Sequence, residues 1–352
     1  MISFILPIRN EVQSIEKTIQ SIVSQTIDED FEIIVADGNS SDGTRKLLKN
    51  LQINNPNIIL IDNPEKIVST GFNRALSKST GEIIIRVDGH SIIHYDYASK
   101  CKQQLNLKNC ACVGGLIHPL GNSIFTKIIT LATSSKFGVG NSKFHYSKIS
   151  CWSDTVYLGA YKREVFEEIG GYDEELVRNQ DDEFNFRIIQ NGGKIWLDPS
   201  IKSSYYLRDS FTKLFKQYFQ YGFYKVRVMQ KRKGLASWRH VVPGLFALTL
   251  LFGLSIFLFT GNTIPILSLC LPYLSFSLFA TILELIKTPS NFISVMMLPI
   301  TFFILHISYG LGFLLGLIYF WDKWGDFKIK DNHFDREQFT KNSSVIIKNN
   351  QL

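Results

Sequence analysis

Charge is nearly missing from one long stretch of the chain. Between Val241 and Trp321 only Glu284 and Lys287 are Asp, Glu, Lys or Arg, too few for an ordinary solvated surface. Acids are absent altogether from residues 211–240, which carry eight bases: Lys213, Lys216, Lys225, Arg227, Lys231, Arg232, Lys233 and Arg239. The formal net charge of the 352 residues is +7, so without that segment the chain is close to neutral. A basic balance confined to thirty residues beside an apolar block argues against a nucleic-acid partner. The five cysteines (Cys101, Cys110, Cys112, Cys151 and Cys270) form no CxxC pair and no His-flanked ligand set. That pattern points away from a zinc ribbon or a disulfide scaffold and towards free thiols. GxGxxG and GxxxxGK[ST] loops are also lacking, which counts against a dinucleotide dehydrogenase or a P-loop NTPase. Met1–Pro7 runs straight into the polar Arg9-Asn10-Glu11, so a cleavable signal peptide is not expected. With 45% hydrophobic, 20% charged and 13% aromatic residues, a wholly disordered chain is excluded.

The uncharged stretch contains three apolar runs, Val241–Phe259, Ile264–Leu283 and about Ile293–Phe320, each near the ~20 residues that a helix needs to cross ~30 Å of hydrocarbon. They read as three membrane helices. A re-entrant second segment is the alternative, because Pro265 and Pro272 break it and its connection through Gly261-Asn262-Thr263 is short. In front of them Phe211, Leu214, Phe215, Tyr218 and Phe219 recur at helical spacing, with Lys213, Lys216, Gln217 and Gln220 between. This is an amphipathic helix with a cationic face, suited to anchoring on anionic lipid or to forming a lid over a site. The Lys/Arg cluster before the first apolar run places residues 1–210 in the cytoplasm. The expected division is therefore 1–210, 211–240, 241–321 and a polar tail, 322–352.

Residues 1–210 alternate short β-rich runs (Ile2–Leu6, Glu32–Ala36, Ile58–Ile61, Glu82–Val87) with helical patterns (Ser14–Ser24, Thr44–Leu51, Thr70–Ser77). That is the signature of an α/β fold with a mostly parallel sheet. Ligands of such sheets bind beyond the carboxyl ends of the strands. Arg9-Asn10-Glu11, Asp37-Gly38 and Asp88-Gly89-His90 are the polar groups at those ends. For Asp37 an Asx-turn residue is the alternative reading, and Asp42-Gly43-Thr44 reads as the cap of the next helix.

These strand ends carry a resemblance. Leu6-Pro7-Ile8-Arg9-Asn10-Glu11, the run from Val35 to Thr44, and Arg86-Val87-Asp88-Gly89-His90 resemble the successive nucleotide-sugar motifs of family 2 glycosyltransferases. Gly170-Gly171-Tyr172-Asp173-Glu174-Glu175-Leu176, leading to Asn179-Gln180-Asp181-Asp182-Glu183-Phe184-Asn185-Phe186-Arg187, is similar to that family's acceptor-side segment. The stretch His306–Gly312 resembles the bacterial succinoglycan-type (ExoA-like) glucosyltransferases. The resemblance covers about residues 1–320 and implies a GT-A fold (Rossmann-like) with a C-terminal α-helical membrane segment.

It also implies roles. Pro7, Arg9, Asn10, Glu11, Asp37, Arg86 and Asp88 would bind the nucleotide sugar, with Asp37 at the base and Glu11 at the ribose or base edge. Asp88-Gly89-His90 stands where the family has its DxD motif, so Asp88 and His90 are the metal candidates for Mg²⁺ or Mn²⁺. His in the third position departs from the pattern and leaves open whether His90 binds metal, touches phosphate or packs. Arg86, two residues before Asp88, faces the same side of the strand and would pair with the diphosphate or with Asp88. Asp181 aligns with the family's catalytic base, with Asp182 and a solvated capping cluster as alternatives. Arg187 reads as a residue that holds the helix. Crowding of Asp181, Asp182 and Glu183 is expected to raise the proton affinity of at least one.

The implied activity is inverting transfer of a hexose from a nucleotide sugar, UDP-linked by expectation, to a polyprenyl-diphosphate-linked saccharide. Membrane lipid and other polysaccharide-assembly enzymes are further implied partners, and the expected place is the inner (cytoplasmic) membrane. A polyprenyl-phosphate sugar synthase and a non-catalytic membrane scaffold are the rival readings.

Overall fold

A computed structural model describes residues 1–121, 123–140, 142–206, 210–234, 238–288 and 292–349. Along the chain the first half runs β1 (Ile2–Ile8), α1 (Ile15–Val23), β2 (Phe31–Asp37), α2 (Thr44–Asn54), β3 (Ile58–Asp62), α3 (Val68–Lys78), β4 (Ile83–Arg86), β5 (Ser91–Ile93), α4 (Tyr97–Leu107) and β6 (Cys112–Leu120). Then come α5 (Ile124–Ser134), α6 (Lys136–Val139), β7 (Cys151–Trp152), β8 (Tyr157–Lys162), α7 (Arg163–Ile169), α8 (Gln180–Gln190) and β9 (Ile195–Tyr206). The last part is helical: α9 (Phe211–Lys231), α10 (Val242–Thr260), α11 (Ile264–Lys287), α12 (Phe292–Tyr319) and α13 (Arg336–Asn349). These form two compact units, one of Met1–His118, Ser147–Tyr206 and Ile329–Leu352, the other of Pro119–Tyr146 and Leu207–Lys328.

The first unit is built on a nine-stranded sheet in the order β3-β2-β1-β4-β8-β6-β9-β5, with β7 beside β9. β3, β2, β1 and β4 are parallel, whereas β4–β8, β8–β6, β9–β5 and β7–β9 pair antiparallel. The parallel half is the part with βαβ alternation in sequence; beyond β4 the sheet is mixed, because β8 re-enters after a long excursion instead of a crossover helix. Ile2–Ile8 are all buried, as expected of a strand flanked on both sides and covered on both faces. Ile15, Ile19 and Ile22 of α1, at i, i+4 and i+7, close one face over Phe4, Leu6, Ile33, Val35 and Ile85. The parallel register sets Pro7 beside Ala36, and Asp37 between Ile8 and Asp62. The polar ends of β2, β1 and β4 are thereby neighbours.

The second unit is helical. α10, α11 and α12 are each long and apolar enough to cross a membrane. The prolines do not break α11: Pro265 lies in its first turn, where a missing N–H costs nothing, and Pro272 is accommodated within one continuous helix. α9 lies along α12 with main chains nearly touching. A Cβ on Gly222 would overlap the Tyr309 carbonyl, and one on Gly312 the Phe219 carbonyl. His306 makes two bonds at 2.8 Å: its Nε2–H donates to the Phe137 carbonyl of α6, and its Nδ1 pairs with the Tyr273 hydroxyl. The His306–Gly312 stretch is thus a packing motif.

The basic helix is less solvated than its composition suggests. Lys213 and Lys216 are exposed, but Arg227 is 0% exposed. Its guanidinium meets the Asp326 carboxylate at 2.8 Å and the Asp326 carbonyl at 3.0 Å. Gln230 donates to the Phe320 carbonyl at 2.6 Å, and Lys231 to the Lys328 carbonyl. The C-terminal end of this basic collar, α9, spends its hydrogen-bonding capacity on the segment that follows α12.

Candidate active site

At the carboxyl end of β4, Arg86 links two carboxylates. Its Nε and Nη2 lie 3.1 and 3.0 Å from Asp88 Oδ1, and its Nη1 lies 3.4 Å from Asp181 Oδ2. The guanidinium also stands 5.8 Å from the centre of the Tyr172 ring. β4 is flanked by β1 and β8, which buries Arg86 almost completely; an arginine can remain there only with its charge matched. Burial works against the charge, but Asp88, Tyr172, Asp181 and Tyr161 together more than offset it, so the Arg86 proton is held above the ordinary arginine range. On Asp88 burial raises the carboxyl, but Arg86 and His90 more than offset it and keep Asp88 below the usual aspartate range. Asp181 is 40% exposed on its side chain, open enough to meet a hydroxyl from outside.

Gly89 lets this strand end close on the first. A Cβ there would stand 2.7 Å from Ile8 Cγ2 and 2.9 Å from Glu11 Cγ. With that close approach, His90 Nδ1 reaches Glu11 Oε1 at 2.9 Å, Ser14 donates to Glu11 Oε2 at 3.1 Å, and Ser14 and Thr18 each donate to the Gly89 carbonyl at 3.0 Å. Asn10 takes the left-handed conformation, φ 57°, which asparagine tolerates. Its N–H donates to Ser40 Oγ and its Oδ1 accepts from the Ser41 N–H, both at 2.9 Å. Arg9 is exposed and Pro7 buried.

Asp37 is 0% exposed. Oδ1 accepts from the Ser40 N–H and hydroxyl at 3.2 and 2.6 Å, and Oδ2 from Arg45 at 3.0 Å. The Asx-turn contacts are therefore present, with a guanidinium added that also reaches Asp62 at 2.6 Å. Asp42 binds the Thr44 N–H at 3.0 Å and the Val12 N–H at 3.1 Å, the capping role expected of it. Pro7, Arg9, Asn10, Glu11, Asp37, Arg86, Asp88 and His90 thus occupy three adjacent strand ends, and Asp181 is tied to them through Arg86.

The acids of α8 do not crowd. Successive helical residues point in different directions: Asp181 faces Arg86, whereas Glu183 turns inward to Arg187 at 2.7 Å. Arg187 also donates to the Ile169 and Gly171 carbonyls at 2.7 and 2.6 Å, holding the helix to the loop before it. Asp182 contributes its N–H to Asp181 Oδ1 at 2.9 Å.

Three members of the cluster have no individual signal in the sequence. Tyr157 donates to Asp88 Oδ2 at 3.4 Å and shares a 2.7 Å bond with Ser91; burial, with Asp88 nearby, pushes its phenol well up. The next residue, Leu158, has φ 47°, a costly conformation for a branched side chain, and β6 and β8 shift register between Val113 and Gly115. Tyr172 stacks on Phe72 at 4.0 Å, and burial, partly offset by Arg86, pushes its phenol up to about 12. Arg45 completes the shell of Asp37. Tyr172 lay within a recognisable block, but only the fold sets it under Arg86.

Among the described residues no three His, Cys, Asp or Glu side chains converge on a point that would hold a metal ion. One aspartate with an adjacent imidazole nevertheless suits a hard dication that takes its other ligands from phosphate and water. The five cysteines are unpaired with one another, and burial pushes the Cys101 and Cys112 thiols well up, as inert core residues require.

Residues 3–170 match the model of glycosyl transferase family 2. Over 326 residues, 90% of this chain and 97% of the relative, it is 31% identical to a dolichyl N-acetyl-alpha-D-glucosaminyl phosphate 3-beta-D-2,3-diacetamido-2,3-dideoxy-beta-D-glucuronosyltransferase of Methanococcus voltae. The chain is a family 2 glycosyltransferase. This glycosyltransferase is also 29% identical, over 68% of its length and 73% of the relative's, to the succinoglycan biosynthesis protein ExoA of Rhizobium meliloti. Among solved structures it is similar to the mannosyltransferase PcManGT from Pyrobaculum calidifontis in complex with GDP-Man and Mn²⁺, with a TM-score of 0.57 at 16% identity over 92% of this chain and 87% of the other. That likeness shows the GT-A type of fold.

Proposed function

We propose that this glycosyltransferase moves a hexose from a nucleoside diphosphate sugar, UDP-linked by preference, to a saccharide carried on a polyprenyl phosphate or diphosphate, with inversion at the anomeric carbon. The observation that carries the reading is Arg86, whose one guanidinium touches both Asp88 and Asp181. It brings the donor-diphosphate side and the acceptor side of a displacement within a few ångströms.

Asp181 is the base: its exposed carboxylate accepts the proton of the acceptor hydroxyl as that oxygen attacks the anomeric carbon from the face opposite the leaving diphosphate. Arg86 stays charged and aims Asp181 through the 3.4 Å contact. Asp182 positions it through the 2.9 Å N–H bond. Pro7, Arg9, Asn10, Glu11 and Asp37 form the floor and wall for the nucleoside at the ends of β1 and β2. A Mg²⁺ or Mn²⁺ ion held by Asp88, with His90 beside it, would neutralise charge on the leaving diphosphate. The acceptor class is supported by the dolichyl-linked substrate in the name of the Methanococcus voltae relative, and lipid access by the three apolar helices.

Membranes holding the full chain, incubated with a panel of radiolabelled nucleotide sugars and extracted with organic solvent, test this. Label from one sugar is expected in the lipid extract with wild-type protein and not with Asp181→Asn. Label in the extract at the same level with Asp181→Asn would overturn the assignment of the base. Label confined to water-soluble product would overturn the acceptor class.

A further inference from the structure

We infer that residues 329–349 lie on the same side of the membrane as the catalytic unit, that α10 and α11 cross as a hairpin, and that α12 does not cross but runs along the surface on that side. Hydropathy alone would count three crossings and send the tail to the opposite side.

The tail is built into the catalytic unit. Phe339 is 0% exposed, its ring lies under the Arg163 guanidinium at 3.6 Å and edge-on to Phe334 and Phe166 at 5.2 and 6.4 Å. Arg163 also donates to the Phe339 carbonyl. Asp331 accepts from the Gly171 N–H at 3.1 Å, and His333 meets the two oxygens of Glu174 through its own N–H at 2.9 Å and its Nδ1 at 2.8 Å. The Asp335 N–H donates to Ser77 Oγ at 2.8 Å. Buried rings and this many directed bonds mark a permanent part of the fold.

Chain reach then decides the side. Lys328 belongs to the helical unit, where its carbonyl accepts from Lys231. Two residues later the Lys330 carbonyl accepts from the Glu174 N–H at 2.6 Å. Two residues span at most ~7 Å, against ~30 Å of hydrocarbon, so the segment after α12 is on the catalytic side.

The helical unit is arranged to match. The start of α10 packs on the last third of α12: a Cβ on Gly310 would overlap the Pro243 carbonyl, and one on Gly244 would press on the Phe313 ring. In a bundle of three crossings the start of α10 would meet the start of α12. α11 runs back along α10, with Phe246 stacked on Tyr273 at 4.6 Å and Gly253 beside Ile266. Its later part, at Ala280, joins Leu298, Phe302 and Leu305 of α12. α12 therefore begins and ends at the feet of the hairpin. One of its faces is packed, while Phe292, Met296, Ile300, Phe303 and Ile318 point outward, an apolar stripe for lipid acyl chains. The charges agree: Lys and Arg flank the feet at Arg232, Lys233, Lys287 and Lys323, whereas the tip at Gly261-Asn262-Thr263 has none.

Epitope tags on both ends of the full chain, with protease added to right-side-out and to inverted membrane vesicles, test the side of the tail; Asn262→Cys probed with a membrane-impermeant maleimide, against the wild-type background, tests the hairpin. Both tags are expected to be cut from one face and Asn262→Cys to be labelled from the other. Tags on opposite faces, or labelling of Asn262→Cys from the face of the tags, would overturn the inference. A Ser77→Cys, Asn342→Cys pair, whose native residues share a 3.3 Å bond, is expected to be bridged by a short bis-maleimide. Its failure to bridge in protein that remains monodisperse in detergent would remove the docking on which the inference stands.

Discussion

The strand-end cluster and the α9 collar each centre on a buried arginine, and the two use it differently. Arg86 divides its guanidinium between Asp88 and Asp181, carboxylates whose side chains remain 17% and 40% exposed. Arg227, with no exposure at all, gives its donors to Asp326 and to main-chain carbonyls of the segment after α12. The first arrangement leaves carboxylate oxygens for a ligand; the second uses up its donors on the chain itself. A buried charge with reachable partners marks chemistry, and one sealed by carbonyls marks a joint.

Breaking the first arrangement has the largest expected effect. Asp181→Asn is expected to lower kcat by about 10²–10⁴-fold while donor binding, measured by calorimetry, is retained; loss of donor binding to the same extent would place Asp181 in the donor pocket instead. Breaking the second should leave chemistry and cost the fold. Arg227→Gln removes charge-assisted bonds to Asp326, part of whose cost water relieves, so about 2–3 kcal/mol of stability is expected to go, read as a lower unfolding midpoint in detergent. An unchanged midpoint would mean that the joint carries no weight.

The third test sharpens the role of Arg86 by pH. Asp88 is held below the ordinary aspartate range, so it stays charged, and donor binding that needs its carboxylate persists, until pH falls through that lowered value. In Arg86→Gln burial is offset only by His90 and Tyr157, and the acid-side loss of donor binding is expected to move to higher pH. A profile that does not move, or moves to lower pH, would separate Asp88 from Arg86. The smallest effect is expected from the exposed end of α9: Lys213→Gln with Lys216→Gln should reduce flotation with anionic liposomes of the detergent-purified protein only modestly and in a salt-dependent way. Asp88→Ala, by contrast, should abolish any Mn²⁺ dependence of donor binding and leave flotation untouched.

Strand ends were legible because a parallel sheet needs continuous apolar runs and the residues that stop them are polar: Pro7 to Glu11, Asp37 and Asp88 to His90 could be placed from pattern alone. The three apolar helices were equally plain, since hydropathy over ~20 residues depends on composition and not on partners. What pattern does not carry is pairing between residues distant in the chain. Tyr157 at Asp88, Tyr172 beneath Arg86 and Arg45 on Asp37 arise from register, from the left-handed Leu158 and from loops that meet only when the sheet closes. The collar's bases looked like one solvated face, yet Arg227 and Lys231 turn to carbonyls nearly a hundred residues later, which no helical periodicity records.

The α/β catalytic half, its polar strand ends, the family and the apolar helical block can all be read along the chain, because each rests on local period or on a short contiguous motif. Folding alone joins Asp88 to Asp181 through Arg86, associates residues 119–146 with the apolar helices, and buries Phe334 and Phe339 of a polar tail beside α3 and α7. Those are long-range contacts, selected by packing and by the matching of buried donors to acceptors, and they exist only once the chain has folded.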